Sequence, residues 1–146
     1  MKLHQLSLFL ENKPGKISTP CRLLADAGIN ILTLSLADTQ QFGILRLIVR
    51  DWQKAKSVLE EGGCVVKLTE VLAIEVLDRP GGVADLLDVI EKAGLNIEYM
   101  YAFTFKREDK AVLIFRFEDA DAAVKALESG GANVIDSVEL FDRMQS

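Results

Sequence analysis

A chain of 146 residues has room for one ordinary domain or two small ones, and its 49% hydrophobic content supplies a real core, which excludes a disordered chain. No apolar run approaches the ~20 residues of a membrane span. A net charge of −5, with lysines and arginines scattered among acids, argues against a nucleic-acid phosphate backbone as the main partner.

Met1-Lys2-Leu3-His4 opens directly into a strand-like pattern with no secretory core. Leu6, Leu8 and Leu10 alternate as a strand, and a turn over Asn12 to Gly15 follows. Ile17, Cys21, Leu23, Leu24 and Ala27 recur at helical spacing, with Gly28 as the stop. Pro20 falls inside that pattern, so either the helix starts late, with Ser18 or Thr19 as its cap, or its first turn is distorted. Ile29 to Ala37 and Ile44 to Val49 are β-rich and flank a turn at Gln40 to Gly43. Asp51 caps a helix through Ala55, Val58 and Leu59 that ends at Gly62-Gly63, and Cys64 to Leu68 is a last strand.

The same order then returns. Leu72 to Leu77 reads as a strand, Pro80-Gly81-Gly82 as a turn, and Val83, Leu86, Leu87, Ile90 and Ala93 as a helix stripe. Leu95 to Phe105 is the next strand, Lys106 to Lys110 a polar hairpin loop, and Ala111 to Phe117 its partner. Asp119 or Asp121 caps a helix through Ala123, Val124 and Leu127, and Asn133 to Leu140 is expected to close the unit as a strand.

The repeat is also literal. Pro14-Gly15 and Ala27-Gly28-Ile29-Asn30 recur as Pro80-Gly81 and Ala93-Gly94-Leu95-Asn96, both 66 positions on. Leu59 to Gly63 recurs as Leu127 to Gly131, 68 positions on, so two extra residues lie between Ile97 and Leu127; the hairpin loop is the expected place. A repeat of this length means two copies of one small domain. The order β-α-β-β-α-β makes each an α+β, ferredoxin-like unit: an antiparallel sheet with helices on one face. The expected domains are 1–70 and 71–146. Thr69-Glu70-Val71 offers no flexible spacer, so the domains are expected to act together.

Catalytic chemistry is sparse. His4 is the one histidine and has no triad partners, and Cys21 and Cys64 fit no metal or redox spacing, which suits reduced thiols in the cytoplasm. The turns are more promising. A strand that ends in Pro-Gly and opens a helix gathers backbone N–H groups and the positive helix end at one point, which favours a carboxylate. The amides of Asn30 and Asn96 both donate and accept, as a zwitterion requires.

With Asn12-Lys13-Pro14-Gly15 leading to Ala27-Gly28-Ile29-Asn30-Ile31, and Asp78-Arg79-Pro80-Gly81 leading to Ala93-Gly94-Leu95-Asn96-Ile97, both copies resemble the ACT domain over nearly the whole chain. The resemblance implies regulatory binding of a small ligand, usually a free amino acid, at interfaces between ACT domains, and no catalysis by the domain itself. Asn12 and Asn30 match the asparagines that hold serine in the ACT domain of phosphoglycerate dehydrogenase. Leu10 stands where that family has a ligand-contacting histidine, which puts serine in doubt, and Asp78 replaces the first asparagine in copy two. The resemblance thus nominates Leu10, Glu11, Asn12, Lys13, Pro14, Gly15, Lys16, Ile17, Asn30 and Ile31 in copy one. In copy two it nominates Asp78, Arg79, Pro80, Gly81, Gly82, Val83, Asn96 and Ile97, and no cofactor is implied.

Tyr99, Tyr101, Phe103 and Phe105 alternate with Met100 and Ala102, so this strand is apolar on both sides. One reading is an aromatic core; the other is packing on a further domain or subunit, with Tyr99 or Tyr101 near a ligand. The expected protein is a cytoplasmic homodimer that binds an amino acid and signals to a regulated enzyme or transcription factor, with no nucleic acid or membrane partner. The rivals are a dimerisation or interaction module without ligand and a ferredoxin-like RNA binder, which would want basic residues around its aromatics.

Overall fold

The computed structural model describes residues 2–11, 13–38 and 41–144 (the side chains of 38, 104–107 and 144 excepted). The chain divides into two compact units, one of His4–Thr69 and one from Glu70 onward that also takes in Lys2 and Leu3. Lys2 is tied there by its ammonium, 2.9 Å from Glu70 and 3.1 Å from Asp121.

The first unit comprises β1 (Leu3–Glu11), α1 (Ser18–Asp26), β2 (Ile31–Asp38), β3 (Phe42–Val49), α2 (Trp52–Glu61) and the start of β4 (Val66–Leu77). The strand order is β2-β3-β1-β4, with Leu6 opposite Leu47 and Leu34 opposite Leu47 in antiparallel pairs. The second unit continues β4 and adds α3 (Gly82–Lys92), β5 (Ile97–Arg107), β6 (Lys110–Phe117), α4 (Ala120–Ser129), β7 (Asn133–Ile135) and α5 (Ser137–Met144). Here the order is β7-β4-β6-β5, the same pattern. Each unit is the expected βαββαβ, and β4 runs through the join without a break.

Alternation builds each core. In unit one Leu6, Leu8, Leu45, Leu47 and Val49 meet Leu24, Ala55 and Leu59 of the helices. In unit two Leu72, Ile74, Phe115 and Phe117 meet Leu86, Ile90, Ala123 and Leu127. Asp51 and Asp119 cap α2 and α4 by accepting from the Lys54 and Ala122 N–H groups, each at 3.1 Å. At the ends of α1 and α3 the chain turns left-handed at Gly28 (φ 74°) and Gly94 (φ 71°). The next N–H then returns to the helix: Ile29 donates to Leu24 and Leu95 to Ile90. His4 stacks on Trp52 with centroids 4.5 Å apart, so Trp52 is a packing residue.

Three expectations change. The first helix starts late, at Ser18, but neither Ser18 nor Thr19 caps it; Ile17 holds the cap position, and both hydroxyls donate backwards to the Gly15 carbonyl at 3.1 and 2.9 Å. Pro20 therefore sits in the first turn, where its missing N–H costs nothing.

The two extra residues of copy two are not in the hairpin loop, which is only Glu108-Asp109. They lie in β5, where the register moves from Ala102 opposite Leu113 to Lys106 opposite Ala111, four residues against two. A tight turn with Glu108 at φ 56° keeps the hairpin closed, so the strand bulges instead. A one-residue bulge also recurs at equivalent points, between Ile31 and Thr33 and between Ile97 and Tyr99.

Finally, Asn133 to Leu140 is not one strand. β7 is three residues long, and Asp136 then caps α5 by accepting from the Glu139 N–H at 2.8 Å. Glu75 bonds α5, whereas its neighbours Ile74 and Val76 face α3 and α4, so α5 lies on the opposite side of β4 from those helices.

Candidate functional site

The two Pro-Gly turns are built by the same three hydrogen bonds. Lys13 N–H donates to Glu11, Lys16 to Lys13 and Thr19 to Gly15; Arg79 donates to Leu77, Gly82 to Arg79 and Asp85 to Gly81. Gly15 (φ 87°) and Gly81 (φ 90°) occupy the left-handed turn position that a side chain resists. Gly82 is needed for a different reason: a Cβ there would lie 2.0 Å from the Leu77 carbonyl oxygen. That glycine makes room for its own strand.

Beside each turn lies a cleft, and the two clefts occupy equivalent places. The first, about 310 Å³, is enclosed by Phe9 to Glu11, by Lys16, Thr19 and Pro20, and by Gly62 to Val65. The second, about 240 Å³, is enclosed by Glu75 to Leu77, Arg79, Gly82, Asp85 and Leu86 with Val89, and by Gly131 to Asn133. Both volumes suit a single small metabolite better than a drug-sized ligand. Phe9 N–H donates to the Val65 carbonyl at 3.4 Å, so alternation directs the Glu11 N–H to the same edge. Asp78 N–H donates the other way, to Asp109 at 2.6 Å, so the Leu77 N–H likewise faces the second cleft.

The electrostatics differ between copies. In the first, the Lys13 ammonium lies 3.1 Å from the Glu11 carboxylate, and that bond, with the charges of Lys13 and Lys16, holds the group below the ordinary glutamate range. Cys64 is pushed up by burial, which suits a packing thiol. In the second, burial pushes the Glu75 carboxyl up. Hydrogen bonds from Arg143 and Asn133 and the charges of Arg143 and Lys110 outweigh that and hold it low.

The nominated residues divide into two groups at opposite ends of each sheet. Leu10, Glu11 and Lys16 line the first cleft, and Arg79 and Gly82 line the second. Lys13, Pro14 and Gly15, like Asp78, Pro80 and Gly81, are exposed on the turns; Val83 is exposed, and Ile17 packs on the first core. Asn12 lies outside the described residues, as does the side chain of Phe105. Asn30 and Asn96 are exposed just before β2 and β5, with Ile31 and Ile97 packed against the cores. Glu11 is opposite Phe42 while Ile31 is opposite Val49, seven residues along β3, or about 23 Å at ~3.3 Å per residue. Leu77 and Ile97 are separated in the same way along β6. Within a unit the turn and the asparagine therefore stand at opposite ends of the sheet, because α1 and α3 each carry the chain to its far end. Tyr99 and Tyr101 are half-buried and Phe103 is buried on β5.

The Gly62-Gly63 and Gly130-Gly131 side of the clefts was read from sequence only as a helix stop. Its repetition was the available signal.

The profile of the ACT domain pair matches residues 1–142. The chain belongs to the ACT domain pair family. A comparison with curated proteins finds no match. Among solved structures, this ACT pair is similar to protein BT0572 from Bacteroides thetaiotaomicron, at 33% identity, covering 97% of this chain and 96% of that one, with a TM-score of 0.89. The regulatory subunit of aspartate kinase from Thermus thermophilus, in its ligand-free form, shares the fold at 18% identity, with coverage of 87% and 91% and a TM-score of 0.62. That from Thermus flavus does so at 21% identity, with the same coverage and a TM-score of 0.60. No helix among the described residues is long and apolar enough to cross a membrane.

Proposed function

We propose that this ACT pair is a regulatory protein that binds a free amino acid and has no catalytic activity of its own. One observation carries the reading: a metabolite-sized cleft is built twice, beside the same Pro-Gly turn, at equivalent positions. Both copies keep the cleft open next to the turn that gathers backbone N–H groups, which supports binding of a small ligand there. The edge N–H groups of Glu11 and Leu77 and the cations Lys16 and Arg79 suit a carboxylate. Asn30 or Asn96 joins such a site only from another copy of the unit, because its own turn is at the far end of its sheet. The working domains are 1–70 and 71–146, the assembly a cytoplasmic homodimer, and the listener an enzyme or transcription factor.

Calorimetry and thermal-shift screening of the twenty amino acids test the reading. A saturable hit supports it, and no hit at millimolar concentrations refutes it. A second reading, an assembly module, is favoured by Leu34 and Leu36, half-exposed apolar residues on the edge strand β2. Light scattering that shows a stable dimer together with an empty ligand screen would favour it.

A further inference from the structure

The repeat pairs three positions on the face of each sheet that lies away from its two core helices. Glu75, Lys110 and Asn133 in unit two correspond to Phe9, Phe42 and Val65 in unit one, by offsets of 66 before the insertion and 68 after it. Leu8 and Leu45 pack under α1 and α2, so alternation turns Phe9 and Phe42 to the other side. In unit two these positions hold a helix. The Glu75 side chain, only 7% exposed, accepts from the Asn133 amide at 2.8 Å and from the Arg143 guanidinium of α5 at 2.5 Å. The Lys110 ammonium is 3.7 Å from the same carboxylate. Leu140 of α5 is fully buried and Val138 is exposed, so the helix is amphipathic. Unit one has no such helix: beyond Val65 its chain continues as β4 into the second unit. Its three positions are apolar and open, with Phe9 51%, Phe42 54% and Val65 68% exposed.

Size and chemistry select the occupant. A buried aromatic side chain contributes about 150–250 Å², so this half-exposed patch amounts to roughly 300 Å². A stable dimer needs about 800 Å² from each partner. The patch is therefore too small for a second copy and matches one face of a short helix. The α5 of another copy is a poor fit, because its Arg143 would meet Phe9 where it requires a carboxylate. We propose that Phe9, Phe42 and Val65 dock a short amphipathic helix of a partner protein, which takes the place that α5 takes in unit two and carries an aliphatic residue where α5 has Arg143. The inference goes beyond amino-acid binding and does not depend on it.

The probe is a synthetic peptide of residues 136–146 with Arg143→Leu. It is stapled through positions 138 and 142, one helical turn apart and both exposed in α5, so that little ordering cost opposes binding. Fluorescence anisotropy follows its titration with the full chain, with no amino acid added. The expected result is saturable binding, at least about tenfold tighter than that of the same stapled peptide with Arg143 retained. Phe9→Glu combined with Val65→Asn gives unit one the acid and amide of unit two and should reverse that preference. Both side chains are exposed, so circular dichroism of the variant should match the parent. The two peptides compared on the parent keep the test decisive if the variant fails to fold. No saturable binding, equal affinity for both peptides, or a folded variant that keeps the preference of the parent overturns the proposal. Light scattering covers the remaining occupant: a parent dimer that becomes a monomer in the variant gives the patch to a second copy and also overturns it.

Discussion

Replacing Gly82 by alanine should damage the second unit more than any other single-methyl addition near the turns. The backbone of Gly82 is not in the left-handed region, so the penalty is steric and not conformational. The added Cβ would lie 2.0 Å from the Leu77 carbonyl oxygen and 3.1 Å from its carbon. Relief needs a movement of roughly 1 Å between the end of β4 and the start of α3. Both are packed on one core through Val76 and Leu86. Overpacking of this kind costs about 1–3 kcal/mol, and with backbone on one side the upper part of that range applies. A cost near 3 kcal/mol in a unit of this size lowers its melting temperature by roughly 12–24 °C. Lys16→Ala, at the equivalent exposed position of unit one, is the control and should fall within about 0.5 kcal/mol of the parent. Urea melts followed by circular dichroism measure both. A Gly82→Ala protein as stable as the Lys16→Ala control would falsify the argument that Gly82 exists for its own strand.

Asp51→Ala and Asp119→Ala each remove a side-chain cap, and each should cost about 1 kcal/mol in urea melts. The folded Glu75 carboxyl lies below its ordinary value, so its contribution is intact above about pH 4.5 and is lost as the pH falls through the folded value. Stability of the parent should therefore decline more steeply than that of Glu75→Gln below that point, measured by denaturant midpoint against pH; parallel curves would contradict the assignment. Asn30→Ala and Asn96→Ala should leave melting unchanged, because both side chains are exposed, yet weaken a bound amino acid roughly ten- to hundredfold by calorimetry if a second copy contributes them. Equal affinity in both would remove the asparagines from the site.

Much was legible in the linear pattern. The alternation of Leu6, Leu8 and Leu10, the helix stripe from Val83 to Ala93 and the caps Asp51 and Asp119 are local signals, and their elements formed where expected. The two-residue insertion was visible as a changed offset but not as a bulge. Its place depended on Glu108-Asp109 closing a tight hairpin. The repeated order of elements predicts one strand over Asn133 to Leu140, whereas the helix from Ser137 is held by the Arg143 bond to Glu75 of β4, a contact between residues 68 positions apart.

The repeat and the order of elements were determined by sequence alone, because hydrophobic period, caps and glycine stops act within a few residues of themselves. Tertiary structure alone decided what those elements bring together. It put the ends of the strands that lead into the turns about 23 Å along the sheet from Ile31 and Ile97, the neighbours of Asn30 and Asn96. It also put the Gly62-to-Val65 and Gly131-to-Asn133 segments beside those turns instead. The physical reason is that a helix between two strands carries the chain the length of the sheet, so neighbours in a motif become opposite ends of a fold.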